Sequence, residues 1–269
     1  MHTPTLELTP DQIAFYRREG YLQLSAITTP EEVASLCAIY DRLFATRAGR
    51  AEGDHLDLSS ADDEGAEAVL PQILNPSKYA PELADTLFRA NAEAIVKQLL
   101  GSEAAFRGDH AIRKAPHSAA ATPWHQDEAY WDPELEYDEL SIWIPLQPAT
   151  LDNGCMQFVP GTHALDVLPH HPIGNDPRVI GLEVDDPAVR AAGAVACPLP
   201  AGGATLHHSR TLHFTGPNRT DEPRRAYILA FGAPRVKRVH PRDFYWRTQQ
   251  KTSWQQRRDA AQAAGPSGS

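Results

Sequence analysis

An imidazole and a carboxylate stand two residues apart in Trp124-His125-Gln126-Asp127. In an extended chain, side chains two apart point the same way, so His125 and Asp127 can reach one metal ion together. A second histidine, His213, lies far downstream in Thr211-Leu212-His213-Phe214-Thr215. Two imidazoles and one carboxylate form the facial triad that holds non-haem Fe(II) and leaves coordination positions open. The chemistry this predicts is oxygen activation at iron.

Twelve histidines make chance pairings common, so each is weighed. His2, His55, His117 and His240 lie in polar stretches and read as solvent-facing. His170-His171 reads as a loop feature, and His207 and His208 are rivals for the third ligand. His213 is preferred because Thr215, two residues on, places a hydroxyl on its face, and because Gly216-Pro217-Asn218 then turns the chain toward Arg224 and Arg225. A hairpin there would return a guanidinium beside the histidine. Metal, hydroxyl and guanidinium together suit 2-oxoglutarate, whose keto acid end chelates iron and whose far carboxylate is best gripped by arginine. Strand alternation leaves Arg224 and Arg225 open, since they face opposite ways. An ion pair with Asp221 or Glu222 is the plain alternative for Arg224.

The elements that must hold these residues are legible from punctuation and periodicity. Thr9-Pro10-Asp11-Gln12 is a helix start with a capping box, and Gly20 is its stop. Tyr21 to Leu24 reads as a short strand. Thr29-Pro30 opens a second helix carrying Val33, Leu36, Ile39, Tyr40 and Leu43 at helical spacing. Arg47 to Glu67 is polar and reads as a loop, and Pro81 to Leu100 as a third helix ended by Gly101. From Ala104 short runs broken by Pro, Gly and Asp predict an antiparallel sandwich or barrel, with strands at 111–113, 140–145, 156–159, 204–208 and 227–231. His163 to Asp186 reads as an insertion over a site mouth. The predicted fold class is mainly β with helices (α+β). One domain spans 1–269, with a helical part over 1–103, a β core over 104–235 and a polar C-terminal segment over 236–269 whose end, Gly265 to Ser269, is predicted to be disordered.

Composition narrows the partners. A net charge of −10 disfavours nucleic acid and anionic membranes, and no run of about 18 apolar residues predicts a membrane helix. The N-terminus shows no secretory pattern. Cys37, Cys155 and Cys197, without CxxC spacing, fit a reducing compartment, so a cytoplasmic protein acting on a small molecule is expected.

Four segments, in order, resemble the phytanoyl-CoA dioxygenase family of Fe(II)/2-oxoglutarate oxygenases: Leu8 to Tyr21, Pro123 to Trp131, Asp152-Asn153-Gly154-Cys155-Met156 with Pro160-Gly161-Thr162-His163, and Leu212 to Arg225. The resemblance implies a double-stranded β-helix (jelly-roll, cupin-like) core with the N-terminal helices on one face. It implies Fe(II), 2-oxoglutarate and O2 as cofactors and co-substrates, and His125, Asp127 and His213 as ligands. It selects Arg224 over Arg225 for the far carboxylate and puts Thr215 beside it. Trp143 matches a tryptophan lining the cosubstrate pocket, with a core aromatic as the alternative. Gln72 falls near a cosubstrate-binding lysine. Lys114 resembles a segment that borders the mouth, although an exposed lysine is the plainer reading. Asn153 and Gly154 either shape the pocket or make a tight turn. Phe214 replaces the usual glycine and either adds bulk or packs on the opposite face. The implied reaction is hydroxylation of an unactivated C–H bond of a small substrate, with succinate and CO2 released. A Zn(II) hydrolase on the same ligands and a non-catalytic 2-oxoglutarate-binding sandwich are the competing readings.

Overall fold

The structure is a computed structural model describing residues 2–63, 66, 68–184 and 193–256. Helix α1 (Pro10–Glu19) starts where the Thr9 side chain accepts from Gln12 N, and it stops at left-handed Gly20. Strand β1 (Tyr21–Leu24) follows, then α2 (Pro30–Ala45), capped by Thr29. The polar stretch read as a loop contains a strand, β2 (His55–Asp57), which pairs with β3 (Pro71–Leu74). His55, expected in solvent, is buried there. A one-turn helix α3 (Pro76–Tyr79) and a 3-10 turn (Pro81–Ala84) precede α4 (Leu87–Leu100). The single helix expected over 81–100 is therefore broken. Thr86 leaves the helix and caps α4 by accepting from Arg89 N.

The remaining strands are β4 (Ala105–Lys114), β5 (Thr122–His125), β6 (Leu135–Glu136), β7 (Glu139–Pro145), β8 (Met156–Phe158), β9 (His170–Pro172), β10 (Leu182–Val184), β11 (Val195–Cys197), β12 (Ala204–His208), β13 (His213–Thr215), β14 (Arg224–Gly232) and β15 (Val236–Lys237). They build a seven-stranded sheet, β1-β12-β7-β14-β4-β3-β2, a four-stranded sheet, β11-β8-β13-β5, and the small pairs β9–β10 and β6–β15. The registered pairings are antiparallel.

Alternation along the large sheet gives its two faces different work. Leu140, Ile142 and Ile144 of β7, Tyr227, Leu229 and Phe231 of β14, and Ala111 of β4 join a core with Leu36, Leu43, Phe88 and Ile95 from the helices. Each such side chain contributes about 1.5–3 kcal/mol when fully buried. The opposite face, carrying Trp143, Ala226 and Ile228, packs with Met156, Phe158 and Cys197 of the small sheet. A cavity opens between the two sheets. The helices thus hold the large sheet from outside and leave its inner face free for chemistry.

The C-terminal segment is not merely polar. Phe244 and Trp246 bury against Ala129 and Leu182, and the Trp246 indole donates to the Ala129 carbonyl at 3.0 Å. The end over 265–269 lies outside the described residues.

Candidate metal centre and its cavity

His125 ends β5, and Asp127 opens a 3-10 turn over Asp127–Tyr130 rather than continuing the strand. The shared face survives because Gln126 between them is extended (φ −118°, ψ 131°). His213 starts β13 and sits directly opposite His125 across the strand pair. One nitrogen or oxygen from each of His125, Asp127 and His213 falls within 4.8 Å of the others.

The tautomers follow from the neighbours. His125 Nδ1 lies 2.7 Å from the Pro123 carbonyl, and His213 Nδ1 lies 2.9 Å from the Thr211 carbonyl. A carbonyl only accepts, so both protons sit on Nδ1 and both Nε2 lone pairs point inward. They face Asp127 Oδ1 at 3.7 and 3.4 Å. Two lone pairs and a carboxylate oxygen at these separations are a donor set for one cation, oriented from behind as metal-bound imidazoles require. Burial, reinforced by His213, pulls the His125 imidazole down to about 3. Burial alone would raise the Asp127 carboxyl, but positive charge placed at the His213 and His207 rings outweighs it and holds it well below its ordinary range, so cationic charge in this cluster favours the carboxylate. A neutral imidazole and an ionised carboxylate are the states a divalent metal needs.

The cavity beside this cluster measures about 260 Å³. Arg224, Thr215, Trp143 and Gln72 all line it. Arg224 is 1% exposed, and its Nε and Nη1 have no hydrogen-bond partner among the described residues. Its Cζ lies 5.5 Å from the Trp143 ring centre. Neither Asp221 nor Glu222 pairs with it. Arg225 faces the helices instead and makes a two-bond ion pair with Asp41 at 2.7 and 2.9 Å. The expected hairpin does not form: β13 belongs to the small sheet and β14 to the large one, so the turn at 216–218 crosses between sheets. Arg224 comes from across the cavity rather than from beside His213.

Lys114 is neither exposed nor at the mouth. It is fully buried, registered opposite Arg224, and its ammonium donates to Thr215 O, Thr215 Oγ1 and Gly216 O at 3.1, 2.9 and 2.5 Å. Burial and the Arg224 charge hold its pKa well below the usual lysine range. Because Lys114 donates to Thr215 Oγ1, the threonine proton must point elsewhere; Thr122 Oγ1 accepts it at 3.0 Å. Lys114 thus sits behind the cavity wall, and Arg224 alone brings a cation to that end of the cavity. That unbalanced charge, together with two idle N–H donors, fits a carboxylate.

Gln72 Nε2 meets His110 Nδ1 at 2.7 Å on the cavity wall. Trp143 is both pocket wall and core, packed with Met156 and Ile228. His207 faces Asp127 Oδ2 at 3.3 Å, whereas His208 points to Asp138 on the other side of β12. Glu128 faces away from the cluster into a buried ion pair with Arg242 at 2.5 Å. Phe214 stacks on Trp124 outside the cavity. Asn153 and Gly154 form a turn, in which Asn153 accepts from Thr150 N and donates to the Pro148 carbonyl. Gly154 has φ +84°, and a Cβ there would lie 2.3 Å from the Gly216 carbonyl oxygen. Leu56 and Leu58 in the wall come from the polar stretch over 47–67 and Ile180 from the predicted insertion, two segments the sequence suggested for substrate selection, while Trp254 was not anticipated.

The chain is similar to known proteins over most of its length. The family model described as phytanoyl-CoA dioxygenase (PhyH) matches residues 16–226. A crystal structure of EvdO2 from Micromonospora carbonacea var. aurantiaca, complexed with 2-oxoglutarate, is 38% identical. It covers 91% of this chain and 99% of its own, with a TM-score of 0.76. The epimerase SnoN, in complex with Fe3+, alpha ketoglutarate and nogalamycin RO, is 26% identical, covers 85% of each chain, and has a TM-score of 0.65. A probable alpha-ketoglutarate-dependent hypophosphite dioxygenase of Stutzerimonas stutzeri is 27% identical over 221 residues, 81% of this chain and 76% of the relative. No helix among the described residues is long and apolar enough to cross a membrane. With the matched span covering most of the sequence, from α1 to β14, the chain belongs to the phytanoyl-CoA dioxygenase family.

Proposed function

We propose that this protein is an Fe(II)- and 2-oxoglutarate-dependent oxygenase that hydroxylates a C–H bond of a small organic substrate and releases succinate and CO2. In this reading the two facing sheets are a jelly-roll core, and the chain is a single catalytic domain. His125, Asp127 and His213 hold the metal. The observation that carries the reading is the pairing of two inward Nε2 lone pairs and a carboxylate with a buried guanidinium that has idle donors. A metal site alone suits several chemistries; a metal site with an anion-starved arginine suits a chelating diacid.

Ferrous iron, when bound, supplies the redox chemistry by which decarboxylation of the keto acid is coupled to substrate oxidation by O2. The protein's own work is positioning. Arg224 grips the far carboxylate, Lys114 fixes the Thr215 hydroxyl and adds positive charge, and Trp143 walls the channel between them. Gln72, held by His110, offers an amide to the cosubstrate. Leu56, Leu58, Leu74, Ile180, Trp131 and Trp254 give the remainder of the cavity an apolar wall that excludes water. Arg224 is the only lysine or arginine lining the cavity among the described residues, so the substrate-facing wall offers nothing to a phosphate. This supports a small, weakly charged substrate.

A zinc hydrolase would need a general base near the metal. Asp127 is the only carboxylate lining the cavity among the described residues, and Glu128 is committed to Arg242. The test is anaerobic addition of Fe(II) and 2-oxoglutarate to the metal-free protein. A weak visible charge-transfer band that disappears in His213→Ala is expected; its absence from the wild type defeats the proposal.

A further inference from the structure

Asp127 presents two unlike oxygens. Oδ1 faces the Nε2 atoms of His125 and His213, at 3.7 and 3.4 Å. Oδ2 is turned to a second pair: Ser141 Oγ donates to it at 2.9 Å, and His207 Nε2 lies 3.3 Å away. Ser141 and His207 are register partners across β7 and β12. Residues directly opposite on an antiparallel pair project from the same face, so one rung of the large sheet delivers both groups to one oxygen.

His207 is 3% exposed, and its Nδ1 is buried with no hydrogen-bond partner among the described residues. The carboxylate can only accept, so the ring proton sits on Nε2. This is the reverse of His125 and His213, whose protons are on Nδ1 and whose Nε2 lone pairs are free. The Phe158 and His213 rings pack against His207 at tilts of 42° and 46°, with ring centres 5.4 and 4.3 Å away. Three imidazoles therefore surround Asp127: two present lone pairs toward Oδ1, and one brings Nε2 within 3.3 Å of Oδ2.

We propose that Ser141 and His207 form a clamp that occupies Oδ2 and makes Asp127 a one-oxygen metal ligand, with His207 a positioning residue and not a fourth ligand. The inference rests on the metal assignment above. A carboxylate with both oxygens free can chelate a cation through the pair. The Ser141 hydrogen bond and the His207 ring standing 3.3 Å away hold Oδ2 and set the rotation of the carboxylate plane. With two imidazoles and one oxygen bound, the remaining positions stay open for a bidentate keto acid and for oxygen.

The test uses the full-length metal-free protein titrated with Co(II), reading both the dissociation constant and the visible d–d spectrum. Far-UV circular dichroism and melting confirm the fold of each variant. His207→Phe keeps a ring but loses the donor; binding about 10–100-fold weaker and an altered d–d spectrum are expected. His207→Gln, which can donate an N–H, should recover most of the affinity and the wild-type spectrum. Phe and Gln variants that are equally impaired would mean that the ring only packs, and would overturn the clamp; so would a His207→Phe titration identical to wild type. Should His207→Phe fail to fold, Ser141→Ala carries the test. Removing that hydroxyl should weaken Co(II) binding and shift the spectrum in the same sense, and an unchanged titration overturns the proposal. Wild-type protein that binds Co(II) no better than His213→Ala would instead defeat the metal assignment, a result distinct from failure of the clamp.

Discussion

Replacing Arg224 by methionine separates stability from ligand binding with opposite signs. The guanidinium is 1% exposed and has no acidic partner among the described residues, and burial pulls its pKa down to about 10 from 12.5. Holding the charge there costs about 3 kcal/mol. The contact with Trp143, 5.5 Å from Cζ, returns roughly 2 kcal/mol at a desolvated site. Methionine follows the same path, fills the stem volume and leaves no donor idle. The ligand-free protein should therefore keep its stability or gain about 1 kcal/mol, where truncating a large buried side chain ordinarily costs about 2–5 kcal/mol.

Binding of 2-oxoglutarate should move the other way. Two hydrogen bonds to a carboxylate at about 1.5–3 kcal/mol each predict a loss of roughly 3–6 kcal/mol, or about 10²–10⁴-fold. Arg224→Lys keeps the charge but not the planar fork, and should fall between. Urea unfolding of the metal-free protein gives the first quantity. Calorimetric titration of 2-oxoglutarate into the Mn(II)-loaded protein gives the second. A variant that loses stability by the usual amount while binding 2-oxoglutarate as wild type does would show that Arg224 is a packing residue, and the reading of the cavity would fail.

Lys114→Met should behave oppositely to Arg224→Met in the ligand-free state. It strands the Thr215 and Gly216 carbonyls that Lys114 now satisfies, so a loss of about 2–4 kcal/mol in urea unfolding is expected; an unchanged midpoint would contradict it. Glu128→Gln weakens the most buried of the carboxylates around Arg242, which keeps Asp166 at 2.7 Å, and should cost about 1–3 kcal/mol, with faster proteolysis of the C-terminal segment as the local readout. Acid should destabilise the metal-free protein through His55, His170 and His207, each lowered by burial to about 4, and His125, lowered to about 3. Their folded values lie below the ordinary 6.5, so the unfolded chain takes up the protons. The stabilisation is whole above about pH 6.5 and is lost as pH falls toward about 4. Melting temperature measured across that window should drop steeply, and a flat profile would refute the burial of these rings as neutral groups.

The parts of the site legible in the sequence are those set by short spacing. His125 and Asp127 share a face through one extended residue, and Gly20 and Gly101 stop helices where a stop was predicted. What sequence could not supply is which sheet a strand joins. Arg224 was expected beside His213 through a hairpin; it arrives from the opposite sheet, because the chain crosses at 216–218. The same limit hid Lys114. A lysine between Arg113 and Ala115-Pro116-His117 reads as surface, and its acceptors lie 101 and 102 residues away. Trp254 and Trp246 sit in a polar stretch without helical or strand periodicity, so their packing follows from tertiary contact alone. His207 was visible only as a rival ligand. Its role in the geometry depends on a rung with Ser141, which no single-strand pattern contains.

The contrast among the arginines gives the cavity its meaning. Arg225 is matched by Asp41, Arg235 by Glu139, and Arg242 by Glu128. Each of these carboxylates offsets the charge brought out of water. Arg224 is 1% exposed, faces a lysine across the strand pair and has no acidic partner among the described residues. A fold that neutralises those three guanidinium groups with its own acids leaves this one for an anion from outside. The unmatched donors are particular atoms: Nε and Nη1 are buried without a hydrogen-bond partner among the described residues, and Cζ lies 5.5 Å from the Trp143 ring centre. A diacid entering between the sheets can relieve that cost only by placing one carboxylate there. In the proposed reading, a diacid held at that end would turn its keto acid end toward His125, Asp127 and His213, since both sets of residues line the same cavity. The electrostatic cost of Arg224 would then be converted into orientation of the cosubstrate.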